Sequence, residues 1–232
     1  ANHAVGMGKS KQRKAAAEPS PKAGDRPVAV PDAPSGPPLV AGLDFGRQAC
    51  RVAVARPGGA GPDVLANEQG NRHTPACVAF TDDEQLVGEA ALSQGARNPA
   101  NTVVDLRRLL GLAPDDPRLE AWAREWQFTV APAESAAAAA PGADGDEGDG
   151  SAAEAPSGLR VLVTLKGQAR RYAPEFVAGL LLRHVRAVAE GSTGAPVREA
   201  VFPSRAGDTD AQRAALRMAA RNAGLRAHLL PA

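Results

Sequence analysis

Apolar and polar positions alternate from Pro38 onward. Leu39, Val40 and Leu43 precede a turn at Asp44-Phe45-Gly46-Arg47, and alternation resumes through Val52 and Val54. A period of two predicts a β-hairpin over residues 38–55. Gly58–Gly61 reads as the next turn and Asp63–Ala66 as a third short strand. Ala76–Phe80 and Leu86–Val87 read as strands around Thr81–Glu84, and Val103–Leu110 as a short helix. A second hairpin is predicted from Leu159–Leu165 and Gln168–Tyr172, with Lys166-Gly167 as its turn.

The spacing then becomes helical. Val177, Leu180, Leu181, His184, Val185 and Val188 fall on one face of a helix over Pro174–Glu190. Pro174 suits its first turn, and Gly191 is expected to stop it. Glu199–Phe202 reads as a strand ending at Pro203. Asp208–Ala223 reads as a second helix, capped by Asp208 or Thr209 and ended by Gly224. Leu225–Leu230 starts a further strand. Strands first, then helix–strand–helix, describe a mixed α/β fold.

Two stretches break the pattern. Residues 1–37 hold the basic run Gly8-Lys-Ser-Lys-Gln-Arg-Lys14, then Ala, Pro and Ser, and read as a disordered tail. The run is solvated or touches RNA, a ribosome or an acidic membrane. Residues 131–158 hold Ala136–Ala140 and then an acidic Gly-rich string, and read as a disordered insertion in a loop. Composition sharpens this picture. Of 232 residues 50 are Ala, while Leu, Val and Phe together number 44 and Ile is absent. That share is thin for a core spread over the whole chain. The large apolar residues must therefore concentrate in 38–130 and 159–230.

Charge and cysteine narrow the function classes. The formal net charge is +1, which argues against a dedicated nucleic-acid-binding domain. Cys50 and Cys77 lie in strand-like apolar surroundings and read as buried free thiols. No apolar run approaches the ~18 residues of a membrane span. A reducing compartment, the cytoplasm before an organelle, is the expectation. His73, His184 and His228 are too dispersed for a metal site. Trp122 and Trp126, four apart, read as a packed helical stripe.

One turn carries candidate chemistry. In Gly42-Leu43-Asp44-Phe45-Gly46, a tight turn with glycine at its tip exposes successive backbone N–H groups, which suits a phosphate. Asp44 at the strand end is placed to hold a hydrated Mg2+ opposite the phosphate oxygens.

The blocks around this turn raise its weight. In order they are Asn67-Glu-Gln-Gly-Asn-Arg-His-Thr-Pro75, Val78–Asp82, Gly88-Glu-Ala-Ala91, Arg97-Asn-Pro-Ala-Asn-Thr-Val103, Arg107–Gly111 and Asp115-Asp-Pro117. Tyr172-Ala-Pro-Glu175, Ala200-Val-Phe-Pro203 and Gln212-Arg213 through Leu225 follow. This series resembles the start of the heat-shock-protein-70 chaperone family over most of 40–225, skipping the acidic insertion. The resemblance implies an actin-like (ribonuclease H-like) ATPase fold, here its first lobe only, in residues 38–232. It implies ATP or ADP with Mg2+ as cofactors, and Asp44, Gly46, Arg47 and Gln48 as the first phosphate loop. Pro203 and Arg213 match the interdomain switch. The implied partners are unfolded or nascent polypeptides, bound by a further domain, and a J-domain co-chaperone.

Two departures bear on activity. The family has two threonines where this chain has Arg47 and Gln48, so Arg47 is either a phosphate contact or a solvated turn residue. The family's hydrolytic lysine is replaced by Leu92, which cannot stabilise developing phosphoryl charge. The resemblance therefore implies a chaperone that binds ATP weakly and hydrolyses it poorly, similar to atypical ribosome-associated members. The alternative is a non-catalytic, ribosome-associated co-chaperone or scaffold.

Overall fold

The computed structural model describes residues 37–56, 58–133 and 157–231. In chain order the first elements are β1 (Leu39–Phe45), β2 (Ala49–Ala55), β3 (Pro62–Val64), β4 (Thr74–Pro75), β5 (Val78–Phe80) and β6 (Gln85–Val87). Then come α1 (Glu89–Gln94), a 3-10 turn at Pro99–Asn101, β7 (Thr102–Val103), α2 (Leu106–Leu109), α3 (Pro117–Ala123) and β8 (Thr129–Pro132). The last are β9 (Leu159–Leu165), β10 (Gln168–Tyr172), α4 (Pro174–Thr193), β11 (Val197–Pro203), α5 (Asp210–Asn222) and β12 (Arg226–Leu230).

The main sheet has the order β12-β11-β1-β2-β3, with β4 also on β2. β1 runs antiparallel to β2 and parallel to β11, and β11 is parallel to β12. The β11-α5-β12 segment is thus a crossover unit of the kind parallel strands require. Alternation sorts the two faces of the first hairpin. Ala41, Leu43 and Phe45 on β1 and Cys50, Val52 and Val54 on β2 are buried, and α4 packs on that hairpin with Val177, Leu181 and Val185 in the same core. Asp44 and Arg51 belong to the other face. Two further sheets, β10-β9-β8 and β6-β5-β7, meet α4 through a stack of rings. Phe80 lies 4.8 Å from Tyr172, and Tyr172 lies 5.2 Å from Phe176. Such offset rings add about 0.5–1.5 kcal/mol per pair beyond their buried area.

Most expected elements stand within a residue or two of their forecast positions. The hairpin β9–β10 has the forecast limits, and Lys166 and Gly167 both take positive φ at its tip, as a type I′ turn requires. Helix α5 begins with a capping box between Thr209 and Gln212, so Thr209 and not Asp208 is the cap. Several expectations need correction. The first turn lies at Gly46–Gln48, because the Gly46 N–H donates to the Ala49 carbonyl and extends the ladder past Asp44 and Phe45. The third strand is Pro62–Val64. Helix α4 runs through Gly191 to Thr193, and Gly194, with φ 67°, is its left-handed cap. One glycine in a last turn costs only about 1 kcal/mol, too little to stop a packed helix. Only Leu106–Leu109 of the forecast 103–110 helix is helical, because Val103 pairs with Val78.

Short elements escape the pattern altogether: α1, α3, β4, β7 and β8 are too brief to show a period. Helix α3 ends at Ala123, so Trp126 is not on a common helix with Trp122; it is buried beyond it and stacks on Phe128 at 5.2 Å. Strand β8 pairs Ala131 with Arg160 and Pro132 with Leu159, so both ends of the 131–158 stretch touch the sheet. The remainder of that stretch and the tail 1–36 lie outside the described residues. Cys50 and Cys77 are buried free thiols, as expected. Burial pushes Cys77 up to about 11 and Cys50 well above its usual range, so both stay protonated at neutral pH.

Candidate functional site

The phosphate-loop candidate is the tip of the β1–β2 hairpin. Gly46 is needed there for space: a Cβ would stand 2.5 Å from the Ala49 carbonyl oxygen. The Gln48 carbonyl accepts from the Ala76 N–H at 2.8 Å, tying the tip to the segment before β5. The N–H groups of Arg47 and Gln48 make no hydrogen bond to the described residues. A glycine cradle with adjacent free N–H groups fits a phosphate.

The side chains around the tip are in ion pairs. The Arg47 Nε donates to Asp105 Oδ1 at 2.7 Å, and its Nη2 lies 3.7 Å from Glu125 Oε2. Asp105, in the left-handed region at φ 55°, also accepts from Arg108 Nη1 at 3.3 Å and Trp126 Nε1 at 3.2 Å. The Asp105 hydrogen bond and charge hold the Arg47 guanidinium above its usual range. Arg47 is thus neither a plain solvated turn residue nor an unattached cation. A phosphate would meet it through the N–H groups that Asp105 leaves. Across the hairpin, Asp44 Oδ2 accepts from Arg51 Nη1 at 3.2 Å, the two residues being direct cross-strand partners. Among the described residues no group of three or more His, Cys, Asp or Glu side chains has the arrangement to hold a metal ion. Sequence reasoning missed Asp105 and Arg51. The second is recoverable in principle: once the turn is placed at 46–48, the register pairs 44 with 51.

The polar loop after β3 is built around one buried side chain. Asn67 Oδ1 accepts the N–H groups of Gln69 and Asn71, and its Nδ2 donates to the His73 carbonyl and to Glu89 Oε1 at 2.7 Å. Asn71 Nδ2 adds a second donor to Glu89 at 3.1 Å. Burial alone would raise Glu89, but these hydrogen bonds outweigh it and hold the carboxyl below its usual range. The loop therefore locks the start of α1, which carries Leu92. Leu92 is 57% exposed and brings no charged or hydrogen-bonding group.

The two switch residues are placed separately. Pro203 ends β11, opposite Leu230. Arg213 turns to the first turn of its own helix, donating to the Asp208 carbonyl and to Asp210 Oδ1. Asp208 in turn receives the buried Arg107 at 2.6 Å, which joins this corner to α2. A groove of about 390 Å³ beside Arg217, Arg221 and Arg226 and one of about 220 Å³ beside His184 lie elsewhere; neither is lined by the loop residues. His184 is half-buried at the edge of its helix. No helix among the described residues is long and apolar enough to cross a membrane.

Known proteins share this series of blocks. The family model described as Hsp70 protein matches residues 40–148 and 151–229. The heat shock 70 kDa protein of Emericella nidulans is 35% identical over 185 residues, 79% of this chain and 25% of that protein. That of Neurospora crassa is 36% identical over the same share of this chain and 25% of its own length. A ribosome-associated molecular chaperone of Eremothecium gossypii is 33% identical over 184 residues, 79% of this chain and 26% of its own length. The chain spans about a quarter of the length of these relatives. With the matched blocks running from β1 through β12 on this mixed α/β architecture, the chain belongs to the Hsp70 family and has the fold of its actin-like ATPase domain.

Proposed function

We propose that this chain is the nucleotide-binding lobe of an Hsp70-type chaperone that assists protein folding, with weak ATP binding and impaired hydrolysis. The observation that carries the reading is the Gly46 turn, set in a series of family-matching blocks. Its glycine cradle and its Arg47 and Gln48 N–H groups would hold the phosphate end of ATP or ADP, beside Asp44. An ATP-state change would then be transmitted through Pro203 at the end of β11 and Arg213 on α5. Bound nucleotide supplies a phosphoryl group for transfer to water; the chain's part is to position it. Leu92 provides no group to stabilise the charge that develops in that step, which accounts for slow hydrolysis.

Unfolded or nascent polypeptides, bound by a further domain, and a J-domain co-chaperone are the partners this reading carries, in the cytoplasm. Equilibrium titration of the full-length protein with a fluorescent ATP analogue tests it. Saturable binding that Gly46→Val weakens by about tenfold or more is expected, since the new Cβ would push against the Ala49 carbonyl and displace the turn whose N–H groups hold the phosphate. Absence of binding by the wild-type protein would sink it.

The exposed Leu92 favours a second reading, a non-catalytic ribosome-associated co-chaperone or scaffold that uses this lobe to hold a partner. The similarity to a chaperone named as ribosome-associated supports it. Co-sedimentation with ribosomes, with and without residues 1–37, separates the roles. Binding that persists without the tail places the contact on the lobe.

A further inference from the structure

The cation that neutralises Asp44 belongs to the chain itself. Asp44 and Arg51 face each other directly across the β1–β2 ladder, on the face opposite Leu43 and Val52. Their side chains meet at 3.2 Å between Nη1 and Oδ2, and both are about half-exposed. Magnesium binds as a doubly charged, strongly hydrated ion through one or two carboxylates and the phosphates. At this loop the carboxylate available to it already carries a guanidinium at hydrogen-bonding distance. A divalent ion arriving there meets a like charge. The neighbouring carboxylate Asp105 is already engaged by Arg47, Arg108 and Trp126.

An arginine can do part of what the ion does. It neutralises the carboxylate, and the guanidinium N–H groups not spent on Asp44 match phosphate oxygens in a planar, directional way. Arg47, held by Asp105 on the other side of the tip, adds a second cation. Each arginine is paired with a carboxylate, and the N–H groups left over are what a phosphate would meet.

We propose that Arg51 is the resident counter-ion of this phosphate loop, standing in for magnesium, so that the loop binds the phosphates of a nucleotide in their metal-free form. This rests on the nucleotide-binding reading above and adds to it the ionic form of the ligand and the residue that selects it.

The test is calorimetric titration of the full-length protein with ADP, once with Mg2+ and once with EDTA, for wild type and Arg51→Gln. Wild type is expected to bind with dissociation constants equal within about threefold in the two buffers. Arg51→Gln is expected to lose about tenfold in EDTA, the worth of one charged hydrogen bond, and to regain affinity when Mg2+ is added. Arg51 is exposed, so the variant is expected to keep the wild-type circular dichroism spectrum and unfolding midpoint. Wild-type binding that requires Mg2+, or binding in EDTA that Arg51→Gln leaves unchanged, overturns the proposal and leaves the nucleotide reading standing. No ADP binding by wild type in either buffer overturns both.

Discussion

Glu175 shows how much one side chain can organise. It lies in the first turn of α4 with no solvent exposure. Its Oε1 accepts both the N–H and the hydroxyl of Ser157, and Ser157 also accepts from the Gly111 N–H. One carboxyl thus fixes where the chain re-enters the fold before β9. Its Oε2 is buried without a partner. Burial raises Glu175 above its ordinary 4.5, against the hydrogen bonds from Ser157 that lower it. The sign follows from linkage. The folded state holds this proton more tightly than the unfolded one, so the ionised form weakens the fold, and that penalty is absent below 4.5 and grows as pH rises towards the raised folded value. Glu175→Gln keeps an acceptor for Ser157 and cannot ionise. Urea titrations from pH 4 to pH 8 are therefore expected to show the Gln variant gaining on wild type as pH rises through that window; a gap independent of pH would contradict it. Gly46 makes a sharper demand. Gly46→Ala drives a Cβ into the Ala49 carbonyl, and a loss of about 1–3 kcal/mol in the same titration is expected.

At the scale of elements, Arg107 is the tie to test. It joins α2 to the approach to α5 through Asp208, and both side chains are close to nine-tenths buried or more. Desolvation pulls the Arg107 guanidinium below its usual range despite Asp208, and its Nη1 is a buried donor without a partner. The pair therefore fixes geometry more than it adds stability. Removing one member is another matter. Arg107→Ala leaves the Asp208 carboxylate with the Arg205 N–H alone, and a loss of about 3 kcal/mol is expected. Exchange of both residues for apolar ones of similar volume is expected to cost far less. These elements also divide what pattern reading reaches from what it misses. The long, periodic ones are legible: β1 and β2, the β9–β10 hairpin, α4, β11 and α5. Their periods extend over enough residues to mark a face. Strands of two or three residues such as β4 and β7 exist only through their partners, and nothing local announces them. The candidate site divides the same way. Asp44 and Gly46 stand in a motif and are legible. Asp105, 58 residues from its partner Arg47, is a tertiary fact. Helix α3 is a different kind of miss, since Asp116-Pro117 is a start signal in plain view.

At the scale of the molecule, the thin supply of large apolar residues is spent mainly on one core, with a small second cluster around Cys77, Ala79 and Ala91. Ala, Val and Leu from the main sheet, α4 and α5 form the main core, and Gly179 lets α5 approach α4 so closely that a Cβ there would meet Asn222 at 2.7 Å. That core presents the β1–β2 tip and its paired charges on one side and α1 with Leu92 nearby, since α1 packs on β4, which pairs with Ala49 and Cys50. The family resemblance implies departures at this edge: Arg47 and Gln48 where the family has threonines, and Leu92 where it has lysine. On the proposed reading, the last of these departures is what slows hydrolysis. Single-turnover ATP hydrolysis by the full-length protein, measured for wild type and Leu92→Lys, tests it most directly. Slow turnover in wild type and a gain of about 10²–10³ in the lysine variant are expected, the worth of one preorganised group. Equal rates in the two proteins would contradict it.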